Sequence, residues 1–295
     1  LLEENPSVNA LKRLRSNKDV QFALDYLRHN RLAALGLLIV TIDVFLAIFA
    51  PWIVPYDPYA AGVGERLEPP NGRHWFGTDR VGMDIFSRVI YAPRIDLTIG
   101  VVATTVSVLV GAPLGVFSGY YRGLLSESIA RISDVVQCFP VFIVAMTIVF
   151  VTGQTIENVI ITLAVLNTPI FVRLLRSKTY ALRERKFIEA ARCVGNSDLQ
   201  LLIRHLLPNS LGLVLIQFSV NVGWAILMAS GLSFIGAGVR IPTPEWGAMI
   251  SVGAPDLITG QWWPSFFPGL AVGITVLGLA LVGSAMEVVL DPTRR

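Results

Sequence analysis

The sequence predicts an all-α, polytopic membrane protein with six transmembrane helices, and three observations carry that prediction. Of 295 residues, 53% are hydrophobic and only 15% charged, against about 25% charged in an ordinary soluble domain. Mean hydropathy is +0.61. Six apolar runs stand out along the chain, approaching the roughly 20 residues that a helix needs to cross a hydrocarbon core about 30 Å thick. Lipid offers backbone amides no partner, so each run must satisfy them internally. The ten-residue alternating segments of an outer-membrane barrel are absent from the sequence.

Residues 1–31 hold six lysines or arginines ahead of the first apolar run, more extended than the n-region of a cleaved signal peptide, and read as a retained cytoplasmic tail. Residues 32–295 read as one transmembrane domain. The first span, 32–54, is stopped by Pro51, Pro55 and Pro58. Asp43 lies near its middle, about 16 Å from Leu32 at 1.5 Å per residue, where an ionised carboxylate needs water or a partner. It reads as neutral or as facing a neighbouring subunit, with a proton or substrate role as the alternative. The outer loop 55–96 carries Val81, Ile85, Phe86, Val89 and Ile90 on one helical face and predicts a short helix lying in the interface.

The second, third and fourth spans are predicted at 97–119, 134–151 and 159–175; Asn167 and Pro169 in the last read either as a helix kink or as polar sites with the same alternatives as Asp43. A cytoplasmic loop, 173–210, then precedes the fifth span at 211–235. In the outer loop 236–266, Pro242, Thr243, Pro244, Glu245, Trp246 and Gly247 predict a stiff turn with an interfacial aromatic. The sixth span is predicted at 267–290. Eighteen of the 24 lysines and arginines fall on the side of the N-terminus, which places both termini in the cytoplasm.

Net charge is +3, yet no basic stripe with interleaved aromatics accompanies it, so a nucleic-acid surface is not expected. Cys138 and Cys193 read as ordinary thiols. His29, His74 and His205 lie on different topological elements without ligand spacing, and no metal site is expected. Arg183, Arg185 and Lys186 read as topology signals more than as a lipid-binding patch.

The loop 173–210 is long for a helical membrane protein and reads as two short helices broken at Gly195. Glu189-Ala190-Ala191 presents small side chains that let another protein approach. Gly195 permits a turn that a side chain would hinder, and His205-Leu206-Leu207-Pro208 resets the chain before the next span. The physical reading is a docking knob. Glu189, Ala190, Ala191, Gly195, Leu207 and Pro208 resemble the Glu-Ala-Ala signature of ABC-importer permeases, and His205 in the usual Ile position is similar to the dipeptide and oligopeptide branch.

Further similarity to the C-type permease of that branch runs through Phe76-Gly77-Thr78-Asp79, Asp84 with Ser87-Arg88, Gly119-Tyr120-Tyr121, Arg131 with Asp134 and Pro140, and Leu232-Ser233-Phe234-Ile235-Gly236. It continues through 242–247 and Leu290-Asp291-Pro292. The chain departs at Met83, where Arg is usual, and at Gly283-Ser284-Ala285-Met286, where an Asn and a Gly-Asp pattern are usual.

The resemblance implies a type I ABC-importer permease fold, a heterodimer with a B-type permease, two cytoplasmic ATPases that bind ATP and Mg, and an extracytoplasmic solute-binding protein. It implies a peptide-like solute, with nickel, opines or glutathione as alternatives within the family. The chain carries no GxxxxGK[ST] phosphate loop, so no cofactor is expected in it and energy must come from a partner. A membrane enzyme would want a Gly-x-Ser-x-Gly serine, an HExxH pair or clustered acids, and the sequence shows none. A passive channel would not require the docking loop. Gln217, Asn221, Trp224 and Met228 share one face of the fifth span, and two readings stand: a pathway lining, or hydrogen bonds that hold the bundle together.

Overall fold

A computed structural model describes residues 21–290 apart from 23 and 24. Most of the expected tail, and Asp291 and Pro292, lie outside the described residues. Among those residues five helices are long and apolar enough to cross a membrane, and a sixth span arises if one bent pair is counted as a unit.

Helix α1 (Arg31–Ile53) starts at Asn30, whose side chain accepts from the N–H groups of Leu32 and Ala33, both at 3.1 Å. Helix α2 (Ile85–Tyr91) is capped by Asp84 and leads through Ala92 into α3 (Pro93–Tyr120). Proline is tolerated at that position because a first-turn N–H would have no helical partner. Next come α4 (Leu124–Cys138) and α5 (Val141–Thr152), which meet at 89°. Helix α6 (Ile156–Arg183) is followed by α7 (Lys186–Cys193), the short turn α8 (Asp198–Gln200) and a π-helical segment, Leu201–Leu206. The described residues close with α9 (Leu211–Phe234), α10 (Trp246–Gly253) and α11 (Trp263–Leu290).

Helices α3 and α6 lie in close contact because Gly111, Gly115 and Gly119 form a stripe at four-residue spacing. A Cβ on Gly115 would fall 2.6 Å from the Val172 carbonyl, and one on Gly119 2.5 Å from that of Arg176. Small residues let helices meet backbone to backbone where hydrophobicity cannot drive them together in lipid. Helix α9 packs against both α3 and α11, and the Ser219 hydroxyl donates to Leu279 O at 2.8 Å.

The structure departs from expectation at several places. The third span is not one helix: Phe139 is extended (φ −87°, ψ 147°) and α5 restarts after Pro140. Proline removes a helical N–H and disfavours helical geometry in the residue before it. Helix α6 continues to Arg183, beyond the predicted 159–175. The outer-loop helix starts only at Ile85, leaving Val81 outside it, and it runs into the second span instead of lying alone. Its Ile85 is buried, and Phe86 meets the rings of Trp75 and Phe76 at 4.6 and 5.1 Å. Trp246 is 1% exposed and its indole N–H donates to Val89 O at 3.2 Å, so it is a core anchor and not an interfacial ring. Asp43 is buried within the chain with Thr275 of α11 as hydrogen-bond partner, which overturns the expectation that it faces a neighbour and leaves the neutral reading standing.

Candidate functional site

The 186–208 element stands on the end of α6. Arg185 leaves helical geometry (φ −83°, ψ 142°), so the chain turns and begins α7. Ile188 and Ala191, three residues apart on one face, are buried. They join Leu201, Leu206, Leu175, Val116 and Tyr120 in one apolar cluster. Phe187, Glu189, Ala190 and Val194 face outward, with Val194 84% exposed. The amphipathic period thus divides α7 into a seated side and a presented side.

Gly195 ends α7 at φ +90°, a left-handed conformation that costs other residues free energy. Its N–H donates to Arg192 O at 2.9 Å, and Asn196 closes the bend with backbone and side-chain N–H groups to Ala191 O at 3.2 and 3.0 Å. Ser197 and Gln200 then form a reciprocal capping box that starts the next helical turn. In the widened segment that follows, Leu207 N–H reaches back to Leu202 O at 2.9 Å, and Pro208, with no N–H, begins a single turn into α9.

The predicted residues therefore take different places. Glu189, Ala190, Gly195 and Pro208 are exposed, Ala191 is in the base, and His205 and Leu207 are half-buried. The His205 carbonyl accepts from the Asn209 amide at 2.6 Å. Among the described residues no group of three His, Cys, Asp or Glu is placed to hold a metal.

Tyr120, at the end of α3, holds this element from the side. Its phenol donates to Asp198 Oδ1 at 2.5 Å and accepts from Arg192 Nη2 at 2.9 Å, while its carbonyl accepts from Arg183 Nη1 at 2.9 Å. One residue thus touches the stem and both sides of the Gly195 bend. Helix α4 is tied alongside by reciprocal hydrogen bonds between Ser118 and Ser126, and by Arg176 to Glu127 (2.9 Å) and Arg173 to Asp134 (3.0 Å). Gly119-Tyr120-Tyr121 stands out in the sequence without any contact for Tyr120 being evident there; a polar aromatic at the end of a small-residue stripe is the available signal.

On α9, Gln217 Nε2 donates to Asn221 Oδ1 at 3.5 Å. Asn221 is buried, Trp224 is half-buried, and Met228 packs on the cluster shared by α3, α5 and α6. At the end of the bundle opposite the 186–208 element, Glu245 is fully buried. It caps α10 by accepting from Gly247 N (2.9 Å) and Ala248 N (2.7 Å). Burial pushes its carboxyl above the ordinary value, and those two N–H groups counteract the rise in part. Arg88, also buried, donates to the carbonyls of Pro58 (2.7 Å) and Pro242 (3.0 Å), tying the two outer loops together.

Known proteins share this chain's sequence along most of its length. A family model described as binding-protein-dependent transport system inner membrane component matches residues 111–295. A second, the N-terminal TM domain of oligopeptide transport permease C, matches 20–70. The dipeptide transport system permease protein DppC of Alkalihalophilus pseudofirmus is 39% identical over 270 residues, covering 92% of this chain and 88% of that protein. The glutathione transport system permease protein GsiD of Escherichia coli is 40% identical over 266 residues, covering 90% and 88%. An inward-facing structure of the MetNI methionine ABC transporter shares the fold, with a TM-score of 0.55 at 19% identity over 68% of this chain and 96% of that one.

Proposed function

This chain belongs to the family of binding-protein-dependent transport system inner membrane components, as a C-type subunit of the peptide and glutathione importers, and we propose that it forms half of a translocation pathway driven through its 186–208 element. It is a non-catalytic, multi-pass inner membrane permease of an ABC importer, and such a system includes ATPase and solute-binding partners. In our reading the chain pairs with a B-type permease, two cytoplasmic ATPases engage the pair, and both termini face the cytoplasm.

The observation that carries the reading is the two-sided build of α7. Phe187, Glu189, Ala190 and Val194 offer a mixed apolar and acidic surface, while Ile188 and Ala191 seat it on a buried base continuous with α3, α6 and α9. A surface that is presented but stiffly mounted transmits rigid-body motion instead of absorbing it. Closure of the ATPase pair on ATP would rock these helices and open the pathway outward, with the α9 face of Gln217, Asn221, Trp224 and Met228 as its lining.

We assign a dipeptide or short oligopeptide as cargo, supported by the likeness to DppC; the similar identity to GsiD keeps glutathione, itself a short peptide, as the second reading. Co-purification tests the assembly: ATPase subunits and a second permease should accompany the tagged chain, and Glu189→Lys should abolish uptake while the chain still inserts. Uptake and substrate-stimulated ATPase activity at wild-type levels in an assembled Glu189→Lys complex would defeat the docking assignment. The solute carried by the associated binding protein decides between the cargoes.

A further inference from the structure

Asp96, in the first turn of α3, and Glu245, the cap of α10, are both 0% exposed and their carboxyls lie within hydrogen-bond reach of each other. They come from segments about 150 residues apart, and the Asp96 Oδ2 also accepts from Trp246 N at 3.3 Å. Its other oxygen, Oδ1, is buried and receives no N–H or O–H among the described residues.

Among the described residues no cation stands by to neutralise two carboxylates. Helices α9 and α10 contain no Asp, Glu, Lys, Arg or His. Helix α2 brings Arg88, whose guanidinium turns to the carbonyls of Pro58, Pro242 and Thr243. Arg94 on α3, Glu157 at the start of α6 and Arg240 in the outer loop are exposed, and Arg240 donates to Gln154. Helix α1 offers Arg31 at its opposite end and Asp43, which has Thr275 as partner; α11 offers Glu287 in its last turn. Ser233 of α9 adds a hydroxyl near Glu245.

We propose that Asp96 and Glu245 hold one proton between them, donated from Asp96 Oδ1 to the Glu245 carboxylate, and that this shared proton pins α10 to α3. Two ionised carboxyls at this distance in a water-poor site repel, and an acid paired with a carboxylate replaces the repulsion with a charge-assisted hydrogen bond. Glu245 is the ionised member because it accepts two N–H groups at a helix N-terminus, where the dipole favours negative charge. The proton completes the hydrogen bonding of Oδ1. Its removal by hydroxide, with water as the product, leaves two charges and loosens α10 from α3.

Infrared spectroscopy of the assembled complex in lipid tests this without relying on transport, so its outcome is independent of the proposed cargo and coupling. The carbonyl stretch of a protonated carboxylic acid should persist at neutral pH. In an Asp43→Asn background, carboxyl-labelled aspartate should shift that band, and Asp96→Asn should remove it. A complex without an aspartic acid band in that background, or an Asp96→Asn complex that keeps the band whole, would overturn the proposal. The isotope shift needs no change at Asp96 or Glu245, so the result is readable even where Asp96→Asn fails to assemble.

Discussion

The Tyr120 phenol donates to Asp198 at 2.5 Å, joining the end of α3 to the far side of the bend that Gly195 makes between α7 and α8. The same oxygen accepts from Arg192 on the near side at 2.9 Å. Tyr120→Phe keeps the ring in its apolar cluster and deletes both contacts. One polar pair of this kind contributes about 1 kcal/mol, so the fold should survive with a melting temperature lowered by a few degrees. The sharper effect is expected on transmission: ATP hydrolysed per solute moved should rise in proteoliposomes. An unchanged ratio would show that the latch plays no part in coupling.

The glycine stripe makes a stability prediction. At Gly115 a Cβ would stand 2.6 Å from Val172 O and 2.9 Å from Leu175 Cβ, and the first of these is backbone that cannot swing away. Overpacking typically costs about 1–3 kcal/mol, so Gly115→Ala should lower thermal stability of the complex in detergent. A methyl group added at Gly273 in α11 would meet no atom within 4 Å, so Gly273→Ala should be neutral or gain up to about 1 kcal/mol from helix propensity. Equal effects at the two sites would remove the close-contact explanation.

Some of this architecture is legible in sequence because the signal is local. The apolar runs predict α1, α3, α6, α9 and α11, and the Gly195 to Pro208 spacing predicts a bent, two-part element. The break in the third span is hidden, although Pro140 lies inside it, because the apolar run continues on both sides of the proline. Trp246 is misplaced by local reading for a different reason: a tryptophan beside prolines in an outer loop looks interfacial until Asp96, Glu245 and Val89 surround it. Its contacts with Asp96 and Val89 join residues about 150 positions apart, and no local pattern encodes them.

Glu245 sets a pH dependence whose sign follows from its burial. Its carboxyl titrates above its ordinary 4.5 because desolvation disfavours the charged form. A group raised in this way contributes stability that is fully present below its ordinary value and is lost as pH rises through the raised one. Melting temperature of the assembled complex should therefore fall as pH is increased from about 4.5 upward. Glu245→Gln cannot ionise and still offers an oxygen to the α10 N-terminus. It should start lower, by about 1 kcal/mol for the lost cap bond, and show a flatter profile over the same range. Parallel profiles would assign the slope to other groups.

Gly195 separates backbone geometry from steric fit, since a Cβ there would meet no atom within 4 Å while φ stands at +90°. Any penalty for replacing it is therefore conformational, about 1–2 kcal/mol for a side chain forced into left-handed geometry. Asparagine tolerates that region better than β-branched residues do. The expected order of retained coupling is Gly195, then Asn, then Ala, then Val, with Val the most damaging because its branched Cβ resists the turn. Membrane insertion should be unaffected throughout, because the bend lies outside the spans and Gly195 itself is exposed. Substrate-stimulated ATPase activity in the reconstituted complex reads the order directly. A Gly195→Val complex as active as wild type would mean that α7 and α8 can meet a partner in some other geometry, and that the left-handed bend is a local convenience instead of a requirement for docking.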